Sequence, residues 1–281
     1  MPNKVIHRQH PVSNVLQEKG LMLTNMTTSF IARLRANDEA AWFELWETFG
    51  PVIRIQLTRW GKGRIGVETA RDLSQETLAA LSNSIERYDP ARGARFSTWL
   101  LAIAKHVLGD EIDRRMALKR GAGKANAEFD ERWMVADASM GVDEEYEASV
   151  FRAKVEAAIR KVESECDFMD FSIYRMRVLD GQSGKEVAES VGVSEPTVSR
   201  RLSKVRDMLR SRLQEVISIY SFTNEELDEA SRNGLLLNPN SESGGQAGPA
   251  DKSTDVSFDE AIGDIYHRQM ELRAVDEQNL I

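Results

Sequence analysis

The sequence predicts an all-α fold: two helical domains joined by a flexible linker, followed by a mostly disordered tail. Three observations carry that prediction. Apolar residues recur at three- and four-residue steps in stretch after stretch, the spacing that buries one helix face. Two of these stretches, Ser183 to Val191 and Ser194 to Arg212, stand either side of Gly192 at the separation of a helix-turn-helix. Two segments, 121–149 and 233–254, interrupt the patterning, and the second is rich in Asn, Gly, Ser and Pro. The length of 281 residues suits one or two domains, and 41% hydrophobic against 29% charged residues is ordinary for a chain able to bury a core. The boundaries read as an N-terminal arm over 1–28, a first domain over 29–120, a linker over 121–149, a second domain over 150–221 and an acidic extension over 222–281.

Within the arm, His7 and His10 stand without a neighbouring Cys or carboxylate, so they make no metal-ligand set. Helical patterning begins at Ser29 with Phe30, Ile31 and Leu34. Asn37 and Asp38 are capping residues ahead of a second helix, whose stripe of Ala41, Trp42, Leu45, Trp46 and Phe49 closes at Gly50-Pro51. Val52, Ile53, Ile55 and Leu57 then predict a third helix ending near Gly61 and Gly63. A fourth runs from about Glu68 to Arg87 with Leu73, Thr77, Leu81 and Ile85 buried, leaving Asp72, Gln75 and Glu76 on a polar, partly acidic face. Tyr88 to Gly93 is a loop by its Pro and Gly. Ser97 or Thr98 caps a further helix to about Arg115, lined by Phe96, Leu100, Ile103, Val107 and Ile112.

The pattern returns at Val150 with Val155, Ala158, Ile159 and Val162, then Phe168, Phe171, Ile173, Met176, Val178 and Leu179. In the helix-turn-helix, Val187, Ala188 and Val191 form one apolar edge, and Val198, Leu202, Val205 and Leu209 the other. Gly192 occupies the stop position, where φ > 0 is commonly required. Ser194 is a cap, and Pro196 is tolerated in the first turn. At ~100° per residue, Arg200, Ser203 and Lys204 point away from the apolar edge, flanked by Thr197 and Ser199. Small hydroxyls and long cations on an exposed helix face suit a DNA major groove. In the tail, Asp255 to Asn279 reads either as a weakly ordered acidic segment or as one amphipathic helix through Phe258, Ile262, Ile265, Met270 and Leu272, with a regulatory role in the latter case.

The net charge of −8 does not exclude a nucleic-acid partner, because the charge is unevenly placed. The residues from Phe222 onward carry −9, which leaves +1 for the rest, and Ser183 to Leu213 carries +3. The single cysteine, Cys166, allows no internal disulfide and fits a reducing cytoplasm. No apolar run approaches a membrane span, and no signal-peptide h-region opens the chain, so a cytoplasmic location is expected. There is no Gly-rich phosphate loop, metal-ligand spacing or nucleophile–base pair, so no catalytic residue, metal or cofactor is assigned.

Two sets of residues resemble a known family. Asp72-Leu73-Ser74-Gln75-Glu76-Thr77-Leu78, then Phe96 to Ala104, Asp110 and Arg114-Arg115, resemble the second domain of a bacterial sigma factor. Glu186-Val187-Ala188 and Thr197 to Leu202 resemble its fourth domain. Having these two without the intervening third is similar to the extracytoplasmic-function (ECF) group of the sigma-70 family. The likeness covers roughly Ser29 to Arg120 and Val150 to Ile219. It implies a factor, not an enzyme, that binds core RNA polymerase and promoter DNA, recognises −35 and −10 elements, and assists −10 melting; an anti-sigma or signalling protein is a further expected partner. It implies that Asp72, Gln75 and Glu76 meet the polymerase. It places Arg92, Arg95, Phe96, Trp99, Lys105, His106, Arg114 and Arg115 at the −10 element, with Phe96 and Trp99 equally readable as core. It places Ser194, Thr197, Ser199, Arg200, Arg201 and Lys204 at the −35 element. The linker either follows the RNA exit path or is a solvated tether. Two other readings stand beside this one: a helix-turn-helix repressor or activator that is no polymerase subunit, and a recombinase built on Ser97 near Arg92 and Arg95.

Overall fold

The computed structural model describes residues 29–89, 95–119, 144–221, 223–237 and 252–278, and every regular element among them is helical. The first unit comprises α1 (29–35), α2 (Glu39–Trp60), α3 (Val67–Ser84, extended by a 3-10 turn to Arg87) and α4 (Phe96–Lys119). The second comprises α5 (Glu144–Glu165), α6 (Phe168–Tyr174, running into a π-helical turn over Arg175–Leu179), α7 (Gly184–Val191) and α8 (Glu195–Tyr220). Two short turns, α9 (Asn224–Leu227) and α10 (Glu229–Arg232), and the long α11 (Lys252–Gln278) follow.

Asp38 starts α2 as expected. Its carboxylate accepts from the amides of Ala40 and Ala41 at 2.9 and 3.2 Å, and Arg33 Nε donates to it at 2.7 Å. The expected break at Gly50-Pro51 does not occur, and one 22-residue helix runs through it. Pro51 has no N–H to give to the carbonyl of Glu47. Arg160 of α5 supplies the missing donor, with Nη2 at 3.4 Å from that oxygen. Gly50 serves packing here: a Cβ would stand 2.8 Å from the Trp46 indole.

On α3, Leu73, Thr77, Leu81 and Ile85 are all buried, as the three- and four-residue steps predict. α4 begins at Phe96, so Ser97 and Thr98 lie inside its first turn and neither is its cap. α5 starts at Glu144, six residues ahead of the expected Val150, because a tertiary contact holds its first turn: fully buried Tyr146 donates to the carbonyl of Ser97 at 2.7 Å. Its other end runs through Val162-Glu163 to Glu165. Phe168 is 82% exposed, although its place in the apolar pattern predicts burial. As the first residue of α6, it precedes the turn that Phe171 and Ile173 bury.

The two units share one hydrophobic core. α5 packs on both α2 and α8. Tyr220, at the end of α8, meets Phe30 and Phe49 edge-on, each with ring centroids 5.1 Å apart. α11 lies against α5 and the π-helical turn, as the amphipathic reading of the tail expects. Phe258 and Ile262 are fully buried, and Gly263 admits the carbonyl of Val178, which a Cβ would meet at 3.0 Å.

Candidate nucleic-acid interface

The helix-turn-helix is assembled by local chemistry. Ser183 and Glu186 form a reciprocal capping box at the start of α7: Glu186 N–H donates to Ser183 Oγ at 3.2 Å, and Ser183 N–H to Glu186 Oε2 at 2.7 Å. Gly192 ends α7 at φ 69°, the left-handed conformation that favours glycine, and its N–H bonds back to the carbonyl of Ala188. Ser194 is the first residue before α8, but its hydroxyl pairs with Thr197 Oγ1 at 3.0 Å instead of an amide. Val198, Leu202, Val205 and Leu209 are buried, which turns the opposite side of α8 outward.

Five of the six basic side chains of α8 fall into three groups, while the sixth, Arg212, pairs with Glu165 and Glu215 further along the helix. Arg201 and Lys204 turn to one flank, where both bond the carboxylate of Asp170 on α6: Arg201 Nη1 to Oδ1, and Lys204 Nζ to Oδ2 at 2.7 Å. Asp170 is 4% exposed. The Lys204 bond, aided by Arg201 and working against burial, holds its carboxyl below the usual carboxylate range, and in return Asp170 raises Lys204. Arg206 and Arg210 turn to the other flank. Arg206 straddles Asp259 and reaches Asp255 at 2.8 Å. Arg210 reaches Asp255 at 2.9 Å and lies 4.6 Å over the Phe258 ring. Between the flanks remain exposed Ser199 and Arg200 with half-buried Thr197 and Ser203. Arg200 leans on Thr197 Oγ1 and the Pro196 carbonyl, each at 3.4 Å.

In the first unit, Asp72, Gln75 and Glu76 lie together, exposed, on one face of α3. Phe96 and Trp99 are in the core: Tyr88 stacks on Trp99 at 4.7 Å and meets Phe96 edge-on at 5.5 Å. Arg114 and Arg115 both grip Glu111, with Nε at 2.7 and 2.6 Å, and Arg115 also reaches Thr69 Oγ1 at 2.8 Å. The two guanidinium groups depress the Glu111 carboxyl, Arg114 most of all. Lys105 lies over the Trp60 ring at 5.3 Å, and His106 Nε2 is 3.5 Å from Asp110. Arg95 is drawn across to the second unit and its extension: Nη1 is 2.6 Å from Glu147 of α5 and Nη2 2.8 Å from Glu225 of α9. Burial works against its charge, but those carboxylates leave the guanidinium pKa raised. Arg92 lies outside the described residues.

The carboxylates that organise these cations, Asp170, Glu147, Glu225, Asp255 and Asp259, escape sequence reasoning. Only Asp170 leaves a signal, as an acidic residue inside the apolar pattern from Phe168 to Ile173. Among the described residues, no helix is long and apolar enough to cross a membrane.

Comparison with protein families gives two matches: Sigma-70 region 2 over residues 50–117 and Sigma-70 region 4 over residues 170–209. No curated protein matches the chain. The first match covers the end of α2 through most of α4, and the second runs from Asp170 to Leu209, with the helix-turn-helix inside it. The two regions stand in the family's order, each on its own helical unit: the chain belongs to the sigma-70 family and is a sigma factor, with a role in promoter recognition.

Proposed function

We propose that the chain is an ECF-group sigma factor, itself without catalytic activity, that binds core RNA polymerase and directs initiation from promoters with −35 and −10 elements. The observation that carries this is the pairing of a region 2 unit and a region 4 unit, each presenting a polar helix face to solvent. Asp72, Gln75 and Glu76 offer carboxylates and an amide to basic and amide side chains of the polymerase. The exposed stripe of Thr197, Ser199, Arg200 and Ser203 enters the −35 major groove, where Arg200 is the side chain best suited to a base edge. The segment from Arg87 to Arg115 takes the −10 element and favours its melted form through its cations. Phe96 and Trp99 act from below, by holding Tyr88 and the start of α4 in place.

Reading both elements at once requires the two units to separate. Elements ~25 base pairs apart are ~85 Å distant at ~3.4 Å per pair. A packed body of ~200 residues has a radius of gyration of ~17 Å and is roughly 45 Å across. The α2–α5 contact and the bonds of Arg95 therefore open on promoter DNA.

The test is transcription in vitro with purified chain, core polymerase and a promoter library. Sequence-selective initiation that depends on the chain, and is lost in the triple variant Asp72→Ala, Gln75→Ala, Glu76→Ala, is the expected result. DNA binding without polymerase recruitment would instead make the chain a helix-turn-helix repressor or activator.

A further inference from the structure

Asp170 stands out because it binds two cations of α8, yet belongs to a different helix, α6. Its position is built. Asp167 caps α6 by accepting from the amides of Met169 and Asp170 at 3.0 and 3.2 Å, which fixes the backbone at Asp170. Arg201 occupies one oxygen of the buried carboxylate and Lys204 the other. Neither cation can move to a phosphate without leaving that oxygen unpaired and shielded from water. The opposite flank of α8 is closed in the same manner by Asp255 and Asp259. Arg200 is the basic side chain that the carboxylates leave on the open stripe.

We infer that Asp170 is a positioning residue that sets promoter specificity by withholding Arg201 and Lys204 from the DNA backbone. Phosphate contacts add affinity without sequence information. Two further free cations would strengthen binding to every sequence alike and dilute what Arg200 and the neighbouring hydroxyls read. Asp170 thus lowers the sequence-independent part of binding and leaves the sequence-dependent part in place. The inference rests on the reading of α8 as the groove-entering helix.

The test measures binding of the holoenzyme, full chain plus core polymerase, to a selected promoter and to random duplex across a range of salt. Asp170→Asn keeps the shape and removes the charge. It is expected to bind random DNA more tightly, to steepen log K against log salt by about 1–2, given ~0.9 per phosphate contact, and to lower the promoter-to-random ratio roughly tenfold. Adding Arg201→Gln and Lys204→Gln to that variant is expected to restore the wild-type slope, which a merely structural role of Asp170 would not do. Lys204→Gln alone, which removes the charge and keeps an amide donor in reach of Asp170, is expected to leave the slope unchanged. A slope that falls by about 1 in Lys204→Gln would place Lys204 on a phosphate and overturn the inference. So would an unchanged slope in folded Asp170→Asn. If wild-type holoenzyme prefers no promoter, the reading of α8 fails, while the slopes still show whether Asp170 withholds the two cations.

Discussion

Lys154 is 1% exposed, and its ammonium lies 3.2 Å from the carboxylate of Glu229, 75 residues further along the chain. Burial pushes the Glu229 carboxyl above its ordinary 4.5, and the nearby lysine only partly opposes this. A carboxylate with a raised folded pKa stabilises the fold most when protonated, below the unfolded value, and loses that contribution as pH rises through the folded value. Lys154→Met removes the cation that opposes this burial, and is expected to cost ~3 kcal/mol at pH 7. Urea unfolding should show the loss shrinking as pH falls and Glu229 takes up a proton. The double variant Lys154→Met, Glu229→Leu is expected to recover wild-type stability or exceed it, since two well-packed apolar groups avoid the desolvation of both charges. The helical step from Val150 to Ala158 puts Lys154 on the buried face, so its burial was legible in the sequence. Its partner was not, because periodicity says which side of a helix is covered and nothing about what covers it.

The same limit holds for whole elements. Leu73, Thr77, Leu81 and Ile85 marked α3 because its buried face repeats at one step, and Gly192 marked the end of α7 because the turn needs φ > 0. α2 departs from the pattern at Pro51, where the local rule for proline is sound but a remote guanidinium, Arg160, takes the orphaned carbonyl. The first turn of α5 lies outside the periodic pattern for a similar reason: remote partners order it, Ser97 through Tyr146 and Arg95 through Glu147. Local devices give local predictions. Ser183→Ala breaks one half of the capping box and is expected to cost ~1 kcal/mol in chemical unfolding. Gly192→Ala, forced into the left-handed region, is expected to cost ~1–2 kcal/mol. Phe258→Ala on α11 has a larger effect, ~3–5 kcal/mol, since it empties a fully buried site and unstacks Arg210. A thermal scan that shows no loss in Phe258→Ala would mean that α11 does not belong to the folded core.

In the molecule as a whole, the proposed function sets the packed form in competition with a promoter-bound form. Arg95 is bonded to Glu147 and Glu225, Ser97 to Tyr146, and Tyr220 sits between Phe30 and Phe49, so the closed arrangement occupies residues at the start of α4. Glu147→Gln with Glu225→Gln removes the charge that holds Arg95 and is expected to weaken closure by ~1–2 kcal/mol, a factor of roughly 5–30 in the open population. Small-angle scattering should then give a larger radius of gyration than wild type, with no loss of helix by circular dichroism. An unchanged radius would mean that the aromatic contacts of Tyr220 alone keep the units together.

The Arg95 bonds also tie the two ligands of this protein to each other. If polymerase and promoter each bind the open form, the observed dissociation constant for either is the intrinsic one divided by the open fraction. Whichever arrives first removes that factor for the second, and thermodynamic reciprocity makes the gain identical in both directions. Two carboxylates around one arginine thereby make the arrival of polymerase and the arrival of promoter one cooperative step.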